Sequence, residues 1–289
     1  MLPNVLYENI DKNGVETLFF LSGFPDDQTS GMHLLIDKLR RHNRNLRLVC
    51  LCYPEFDNVT TKKTPYGYTF HQVLSMLEET VEHFMRGQPD KKVTLICHDW
   101  GCYLGALYEN KHPSHVKRMV MLDVGTSIDY SFFNVFIILF YQLWFSIAYL
   151  VSQTINGHLG QVVFLMYSIV SPLVGPVSDR PSRKLREISV TQCYVYYQFW
   201  KAMIFSRKQV MRPRFPSCPT LFLYGTKKRA SFHSKRFLEH LDKQHLEMCD
   251  EYSSKSSKPR CKQVPLSCGH WVQRDCVDEV YKEVSEFLQ

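Results

Sequence analysis

Residues 92–101 read KVTLICHDWG, and this stretch decides the fold. Its first six residues form an apolar run with the length of a buried strand, and the residues after Trp100 have the pattern of a helix. The small residues Cys97 and Gly101 stand two positions on either side of Asp99, which permits a sharp turn that exposes the middle side chain. We therefore predict that Asp99 is presented for chemistry near the first amide groups of the helix; the alternative is that it only caps the helix.

Short apolar runs alternate with helical segments on both sides of this turn. The runs are residues 15–21, 46–52, 92–97, 116–122 and 220–225. Such alternation predicts a largely parallel sheet whose crossover helices cover both faces. The alternation stops for about ninety residues in the middle of the chain. We therefore predict a core formed by residues 1–127 and 217–289, and a helical, strongly apolar insertion at residues 128–216.

Charge is distributed unevenly along the 289 residues. Lys and Arg number 35 against 28 Asp and Glu, and 45% of the residues are hydrophobic, which is enough for a substantial core. Residues 130–178 contain no Asp, Glu, Lys or Arg, whereas residues 180–236 contain 14 basic residues and the single acid Glu187. No recognised nucleic-acid-binding module accompanies the basic stretch, so no nucleic-acid partner is expected. A solvated or lipid-facing surface is the better interpretation of the basic stretch.

The N-terminal segment and the cysteines bear on location and cofactors. The first nine residues contain no basic segment followed by a long apolar run, so we predict a cytoplasmic protein without a cleaved secretory signal. Ten cysteines occur without a CxxC pair, which favours reduced, mostly buried thiols over zinc sites or disulfides. No metal or organic cofactor is predicted.

Three motifs together resemble the α/β-hydrolase family, and specifically its branch of epoxide hydrolases and haloalkane dehalogenases. His98–Gly101 is similar to the nucleophile turn of that branch, and Cys268–Gln273 is similar to its catalytic-histidine segment. Ser22–Asp26 stands where that branch has a His-Gly-Phe-Pro turn. The resemblance implies the α/β-hydrolase fold, with a mostly parallel central sheet, helices on both faces and an inserted helical lid.

The resemblance also implies a mechanism with Asp99 as nucleophile and His270 as base. A carboxylate can attack an sp³ carbon and form an alkyl-enzyme ester, which water activated by His270 then hydrolyses. Gly23, Phe24 and Trp100 are expected around the substrate, with backbone amide groups holding the oxyanion. No G-x-S-x-G sequence occurs in the chain, so a serine esterase mechanism has no obvious nucleophile.

The acid that orients the histidine is displaced in this sequence. Many relatives carry it three residues after the glycine that ends the strand at residues 220–225, where this chain has Lys228. Some dehalogenases instead carry it at the end of the strand that follows the nucleophile helix, which is the place of Asp123. We therefore predict Asp123 as the orienting acid; the alternative is that it is only a strand-end residue and that His270 lacks its acid.

Two lid tyrosines donate a proton to the departing oxygen in the epoxide hydrolases of this family. Tyr141 lies in a segment similar to the first of them. The second lies among Tyr194, Tyr196 and Tyr197, of which the first and last share a helix face, and Tyr197 is the candidate. The alternative for both positions is ordinary aromatic packing.

The insertion contains two long apolar runs. Residues 132–151 have the length of a membrane span, and residues 159–177 form a second, weaker run. A single crossing would place Asp99 and His270 on opposite sides of a bilayer, whereas a hairpin that returns to the same side would not. An apolar lid over a lipophilic substrate is the preferred interpretation, because a lid that holds such a substrate must itself be apolar. An uncharged hairpin followed by basic residues is also typical of shallow docking on anionic lipid, so peripheral membrane contact through residues 132–177 is a further expectation.

The leading prediction is a hydrolase that acts on a lipophilic small molecule, most directly an epoxide. One alternative is a haloalkane dehalogenase-like hydrolase in which Trp100 helps to hold the halide. Another is a catalytically weak, lipid-associated binding protein on the same fold, an interpretation favoured by Ser22 and Lys228 at positions that usually carry other residues.

Overall fold

The computed structural model describes residues 1–8, 16–27, 29–42, 46–57, 64–86, 92–174, 185–206, 211–251 and 261–289. The strands, in chain order, are β1 (Asn4–Glu8), β2 (Glu16–Leu21), β3 (Leu46–Leu51), β4 (Val93–His98), β5 (Val116–Leu122), β6 (Thr220–Gly225) and β7 (Lys262–Leu266). The helices are α1 (His33–His42), α2 (Phe70–Met85), α3 (Trp100–Lys111), α4 (Phe132–Thr154), α5 (Gly157–Val174), α6 (Tyr194–Phe205), α7 (Lys235–Glu251), α8 (Val272–Asp275) and α9 (Val277–Leu288).

The strands form one sheet in the order β1-β3-β2-β4-β5-β6-β7. β1 pairs with β3 in the antiparallel direction, and all the other neighbouring strands are parallel. Parallel neighbours require crossover connections, which the intervening helices provide. The predicted fold class, a mostly parallel sheet with helices, is confirmed.

Both faces of the sheet are buried, which is why its central strands read as continuous apolar runs. All six residues of β4 are buried. On one face α1 and α9 cover the sheet through side chains such as Leu39 and Val280. On the other face α2, α3 and α7 cover it through Leu77, Leu104 and Phe237. The sheet is thus the middle layer of three and a rigid support for the loops at its ends.

The carboxyl ends of the parallel strands meet at one edge of the sheet. The loop after β2 carries Gly23, the turn after β4 carries Asp99, the end of β5 carries Asp123, and the loop after β7 carries His270. Residues far apart in the sequence are therefore brought together at this edge, where ligands of open α/β sheets bind.

The helices α4, α5 and α6 lie between β5 and β6 in the sequence, and we refer to them as the helical insertion. α4 packs along α5, and the Trp144 indole N–H donates to the carbonyl oxygen of Val163 at 2.9 Å. α4 also packs against α6. These three helices lie between residues 132 and 205, and the bounds 128–216 stay a prediction.

α4 is the one helix in the described part of the chain with the length and composition to cross a membrane. Of its most apolar stretch, 33% is buried inside the protein. Ile137, Phe145 and Ala148 supply much of that burial, so one side of α4 is packed against protein. Length and composition alone are weak evidence for a membrane span.

Candidate active site

The turn between β4 and α3 holds Asp99 in a backbone conformation that few residues adopt. Its φ is 53° and its ψ is −127°, and a non-glycine residue in such a region costs on the order of 1–3 kcal/mol. β2 approaches this turn so closely that a Cβ on Gly101 would lie 2.0 Å from the carbonyl oxygen of Leu21. Glycine at this position therefore lets α3 begin directly against β2, with Asp99 at the edge of the sheet.

Backbone amide groups lie beside the Asp99 carboxylate. The Phe24 N–H donates to Asp99 Oδ1 at 2.8 Å. A Cβ on Gly23 would lie 2.4 Å from that oxygen and 2.5 Å from the Trp100 nitrogen, so the loop after β2 and the start of α3 meet at this carboxylate. Two amide groups, those of Phe24 and Trp100, are thus close to the place where an oxyanion derived from Asp99 would form.

His270 lies between two carboxylates. Its Nδ1 is 2.5 Å from Asp123 Oδ2, and its Nε2 is 3.5 Å from Asp99 Oδ2. Burial lowers the pKa of His270, but the interactions with Asp123 and Asp99 outweigh burial and raise the pKa from 6.5 to about 10. The imidazole is therefore oriented through one nitrogen and directs the other toward Asp99.

Asp123 is completely buried and is held by three different groups. It accepts hydrogen bonds from the Gly225 N–H at 2.8 Å, from His270 and from the Lys228 ammonium. Burial raises the pKa of Asp123, but the Lys228 charge and the His270 hydrogen bond outweigh burial and keep the pKa below its usual value. The Lys228 side chain is only 4% exposed and lies over the Phe232 ring, with Nζ 5.0 Å from its centroid. The lysine at the expected acid position thus binds the acid supplied by β5.

A cavity of about 550 Å³ extends from Asp99 and Trp100 toward the helical insertion. Its walls come from the loop after β5, from α4, from α6 and from residues 211–213. Most of the side chains are apolar or aromatic, such as Ile138, Phe199 and Met203. This volume and this lining are those of a site for a lipophilic small molecule.

Tyr141 and Tyr196 meet near the inner end of this cavity. Their ring centroids are 5.9 Å apart, and the Tyr196 ring also packs against Trp100 at 5.4 Å. Burial and then the Asp99 charge raise the pKa of both phenols. Gln142 Nε2 donates to Tyr141 Oη at 3.2 Å, which leaves the Tyr141 hydroxyl hydrogen free to be donated. Both phenols stay protonated at neutral pH.

Tyr197, the second tyrosine expected from the sequence, is placed elsewhere. Its ring packs against Tyr66 and Tyr149, at centroid distances of 6.1 and 5.4 Å. The start of α6 sets this orientation, because Tyr194 Oη donates to the carbonyl oxygen of Pro54 at 3.1 Å. With Tyr194 directed at the core, the helix turns Tyr196 rather than Tyr197 toward Trp100 and Tyr141. The structure thus brings Tyr141 to the candidate site and leaves Tyr197 out of it.

No group of three or more His, Cys, Asp and Glu side chains within the described ranges could hold a metal ion. The polar groups of the candidate site instead form hydrogen-bonded pairs of His270 with Asp123 and of Phe24 with Asp99. Such pairs are suited to nucleophilic and acid-base chemistry.

Comparison with known proteins agrees with this architecture. A family model described as the α/β-hydrolase fold matches residues 16–157, from β2 through α4. The chain has the α/β-hydrolase fold. No curated protein matches this α/β hydrolase in sequence.

Solved structures of other proteins share the fold of this α/β hydrolase over almost its whole length. An epoxide hydrolase from Bacillus megaterium aligns with a TM-score of 0.61 at 16% identity, covering 99% of this chain and 96% of the other. An enol-lactonase from Burkholderia xenovorans LB400 aligns with 0.62 at 14% identity and the same coverages. A Y149F mutant of an epoxide hydrolase from Solanum tuberosum aligns with 0.60 at 14% identity, covering 96% and 93%. At these identities the likeness establishes the fold alone.

Two residues that shape the site of this α/β hydrolase were not predicted from the sequence. Asp26 Oδ2 accepts from the Trp271 indole at 3.1 Å, and the Asp26 N–H donates to the carbonyl oxygen of Gly23 at 2.8 Å, which fixes the Gly23–Phe24 turn. His98 Nε2 donates to the carbonyl oxygen of His270 at 3.1 Å. Burial and the His270 charge lower the pKa of His98 to about 3, so this second imidazole is neutral. Asp26 and His98 lie inside motifs described above, Ser22–Asp26 and His98–Gly101. That position was the signal in the sequence that could have identified them.

Proposed function

We propose that this α/β hydrolase opens lipophilic epoxides through a covalent ester on Asp99 and releases diols. The observation that carries the proposal is the position of His270, 3.5 Å from Asp99 and 2.5 Å from Asp123. An aspartate at the nucleophile turn attacks an sp³ carbon, whereas ester cleavage on this fold uses a different nucleophile. Two of the similar solved structures named above are epoxide hydrolases, which supports the choice of reaction.

In the first step Asp99 Oδ2 attacks a ring carbon of the epoxide, and the bond between that carbon and the ring oxygen breaks. The departing oxygen takes a proton from Tyr141 or Tyr196, the two phenols near Asp99. Asp99 Oδ1 becomes the carbonyl oxygen of the ester, because the Phe24 N–H already holds it at 2.8 Å. This step leaves an alkyl-enzyme ester and a tyrosinate.

In the second step His270 Nε2 removes a proton from water, and the oxygen of that water attacks Cγ of Asp99. The negative charge that develops on Oδ1 is held by the amide groups of Phe24 and Trp100. When the intermediate collapses, the alkyl oxygen leaves with the proton from His270, which completes the diol. The proton that water brought to the Asp99 carboxyl returns to the tyrosinate, so the enzyme is restored.

The charge state of His270 changes in the direction that this sequence of steps requires. Burial lowers its pKa, and the two carboxylates raise it to about 10 in the free enzyme. Formation of the ester removes the negative charge of Asp99 and with it one of the causes of the raised pKa. A larger fraction of His270 therefore releases its proton to solvent and is neutral at the point where water must be activated.

We further propose that the helical insertion acts as the lid of this site. It supplies Tyr141, Tyr196 and much of the apolar cavity wall. The two phenols favour an epoxide over an alkyl halide as substrate, because an epoxide oxygen needs a proton when its bond breaks whereas a halide leaves as an anion.

The proposed ester can be trapped in a His270→Gln variant. Incubated with an aryl glycidyl ether, this variant should gain the mass of one epoxide, because the ester forms but is not hydrolysed. Intact-protein mass spectrometry reads the adduct, and peptide mapping should place it on Asp99. Addition of Asp99→Asn should remove the adduct, whereas Glu247→Gln, at an exposed acid of α7, should keep it. Unchanged turnover by an Asp99→Asn enzyme would contradict the mechanism.

A further inference from the structure

One side of α4 is apolar and exposed along its whole length. Phe132, Phe136, Leu143, Ile147 and Leu150 recur at helical spacing and form a single stripe. Phe132 is 88% exposed and Ile147 is 57% exposed. The buried residues of the same helix, such as Phe145 and Ala148, lie on the opposite side, so the stripe is turned away from the protein.

α5 carries a second stripe of the same kind. Leu159, Val162, Met166 and Ile169 recur at intervals of three or four residues and are all exposed. Phe164, which packs against Phe145 of α4 at a centroid distance of 5.4 Å, is buried on the other side of the helix. α4 and α5 lie side by side, and we call their two stripes together the outer face. It greatly exceeds the scattered exposed side chains of ordinary surfaces.

The distribution of charge near the outer face indicates which kind of partner it fits. Residues 130–178 contain no Asp, Glu, Lys or Arg, and Asp129, just before α4, is engaged by Ser131, whose hydroxyl donates to it at 2.8 Å. The exposed cation Arg212 lines the cavity together with Val135 and Leu139 of α4, and the chain has a formal net charge of +7. An uncharged apolar surface on a cationic protein matches a membrane with anionic headgroups.

The active-site cavity reaches the molecular surface next to the outer face. Tyr130 lines the cavity and is 78% exposed. Val135 and Leu139 of α4 also line the cavity, and they lie three residues after Phe132 and Phe136, respectively. The exposed Arg212 lines the cavity from the other side. A lipid surface that covers the outer face would therefore also meet the opening of the cavity.

We propose that the outer face docks on an anionic phospholipid bilayer and that the cavity takes its substrate directly from that bilayer. Docking rests on the surface alone, whereas the delivery of an epoxide rests on the function proposed above. The helical insertion lies flat on the bilayer, because the inner side of α4 packs against the protein and supplies the cavity wall. Phe132 and Phe136 enter the acyl region while Arg212, at the cavity, remains among the headgroups.

Vesicle flotation tests the docking. The protein should float with vesicles of phosphatidylcholine and phosphatidylserine, and less with phosphatidylcholine alone. The double variant Phe132→Ser/Phe136→Ser should lose roughly tenfold or more in vesicle affinity, because two large apolar side chains no longer enter the lipid. Leu246→Ser, at a similarly exposed leucine on α7, is the matched control and should bind like the wild type. The variant Val162→Ser/Ile169→Ser tests α5 in the same way if the first variant folds poorly.

Three results would overturn the docking. The first is equal vesicle binding by wild type and both serine double variants. The second is release from vesicles only by detergent and not by high salt, which would indicate a membrane-spanning hairpin. The third is a dimer that both serine double variants dissociate, without vesicle binding by the wild type, which would assign the outer face to a second copy of the chain.

Separate measurements distinguish failure of docking from failure of the proposed reaction. Asp99→Asn should float with vesicles like the wild type whatever the reaction is. Phe132→Ser/Phe136→Ser should still form the Asp99 ester with an epoxide in solution, because neither residue lines the cavity. With an epoxide dissolved in anionic vesicles, the same variant should be slower than the wild type in proportion to its lost binding. Equal rates on vesicle-borne epoxide would contradict delivery from the bilayer.

Discussion

Lys228 gives Asp123 a second positive partner besides His270. Both interactions are buried, with the Lys228 side chain 4% exposed and the Asp123 side chain 0% exposed. The negative charge of Asp123 is therefore shared between the imidazole that it orients and an ammonium group on the neighbouring loop. A shared carboxylate stabilises a charged imidazole less than an unshared one does.

Replacement of Lys228 by methionine should raise the pKa of His270. Without the ammonium, the whole charge of Asp123 acts on the imidazole, and we expect the pH profile of ester hydrolysis to move upward by about one unit. At pH 7 a smaller fraction of His270 is then neutral, so single-turnover hydrolysis of the ester should be slower by roughly tenfold.

Lys227→Met serves as the control, because Lys227 is exposed and adjacent in sequence. Single-turnover rates of ester hydrolysis, measured across pH for both variants, show whether Lys228 lowers the pKa of His270. A folded Lys228→Met protein with the wild-type pH profile would show that the lysine only fills space.

The turn that carries Asp99 depends on the close contact between β2 and α3. A Cβ on Gly101 would lie 2.0 Å from the carbonyl oxygen of Leu21, a backbone atom that cannot move without displacing β2. Gly101→Ala should therefore lower the free energy of unfolding by at least about 3 kcal/mol and abolish ester formation. Chemical denaturation measures the first effect, and mass spectrometry in the His270→Gln background measures the second.

Gly157→Ala is the matched control for this prediction. A Cβ on Gly157, at the start of α5, would meet nothing within 4 Å. Alanine is the better helix former, so this variant should be unchanged or slightly more stable. Equal stability of the two variants would mean that β2 and α3 are not in the contact described.

Elements with a local signal were predictable from the sequence, and contacts between elements were not. The strand, turn and helix around Asp99 are specified by ten consecutive residues, so the turn could be placed correctly. Helical periodicity showed that Tyr194 and Tyr197 share a face, but the anchoring of Tyr194 to Pro54 decides which face meets the site. That anchor joins residues 140 positions apart, a separation at which periodicity carries no information.

Lys228 illustrates the same limit at a single position. The sequence showed a lysine where relatives carry an acid, which favoured a weakened site. The sequence also predicted Asp123, at the end of β5, as the orienting acid, but only the spatial arrangement shows that Lys228 binds it.

At the scale of the whole molecule, the contact between His270 and Asp123 joins the loop after β7 to the end of β5, 147 residues away. The pKa of His270 is raised from 6.5 in the unfolded chain to about 10 in the folded protein. A group with a raised pKa contributes stability that is full below its unfolded pKa and is lost as the pH rises toward its folded pKa. The contribution of His270 is therefore full below about pH 6.5 and disappears toward pH 10.

The free energy of unfolding of the wild type and of His270→Gln should converge as the pH rises. We expect the difference between the two proteins to be largest near pH 6 and to shrink between pH 7 and pH 10. Urea denaturation at a series of pH values measures it, and His71→Gln, at an exposed histidine of α2, controls for the loss of an imidazole elsewhere. A difference that stays constant across this range would contradict the raised pKa.

The apolar wall of the cavity has a consequence for the direction in which material moves. A diol carries two hydroxyl groups where the epoxide had one ether oxygen, and a hydroxyl group buried without a partner costs on the order of 1–3 kcal/mol. For the proposed reaction, the apolar wall would thus hold the product less tightly than the substrate, and the product would partition into water more readily than the epoxide does. Each turnover would shift material from the hydrocarbon phase toward the aqueous one, because the polarity gained in the reaction favours release over return.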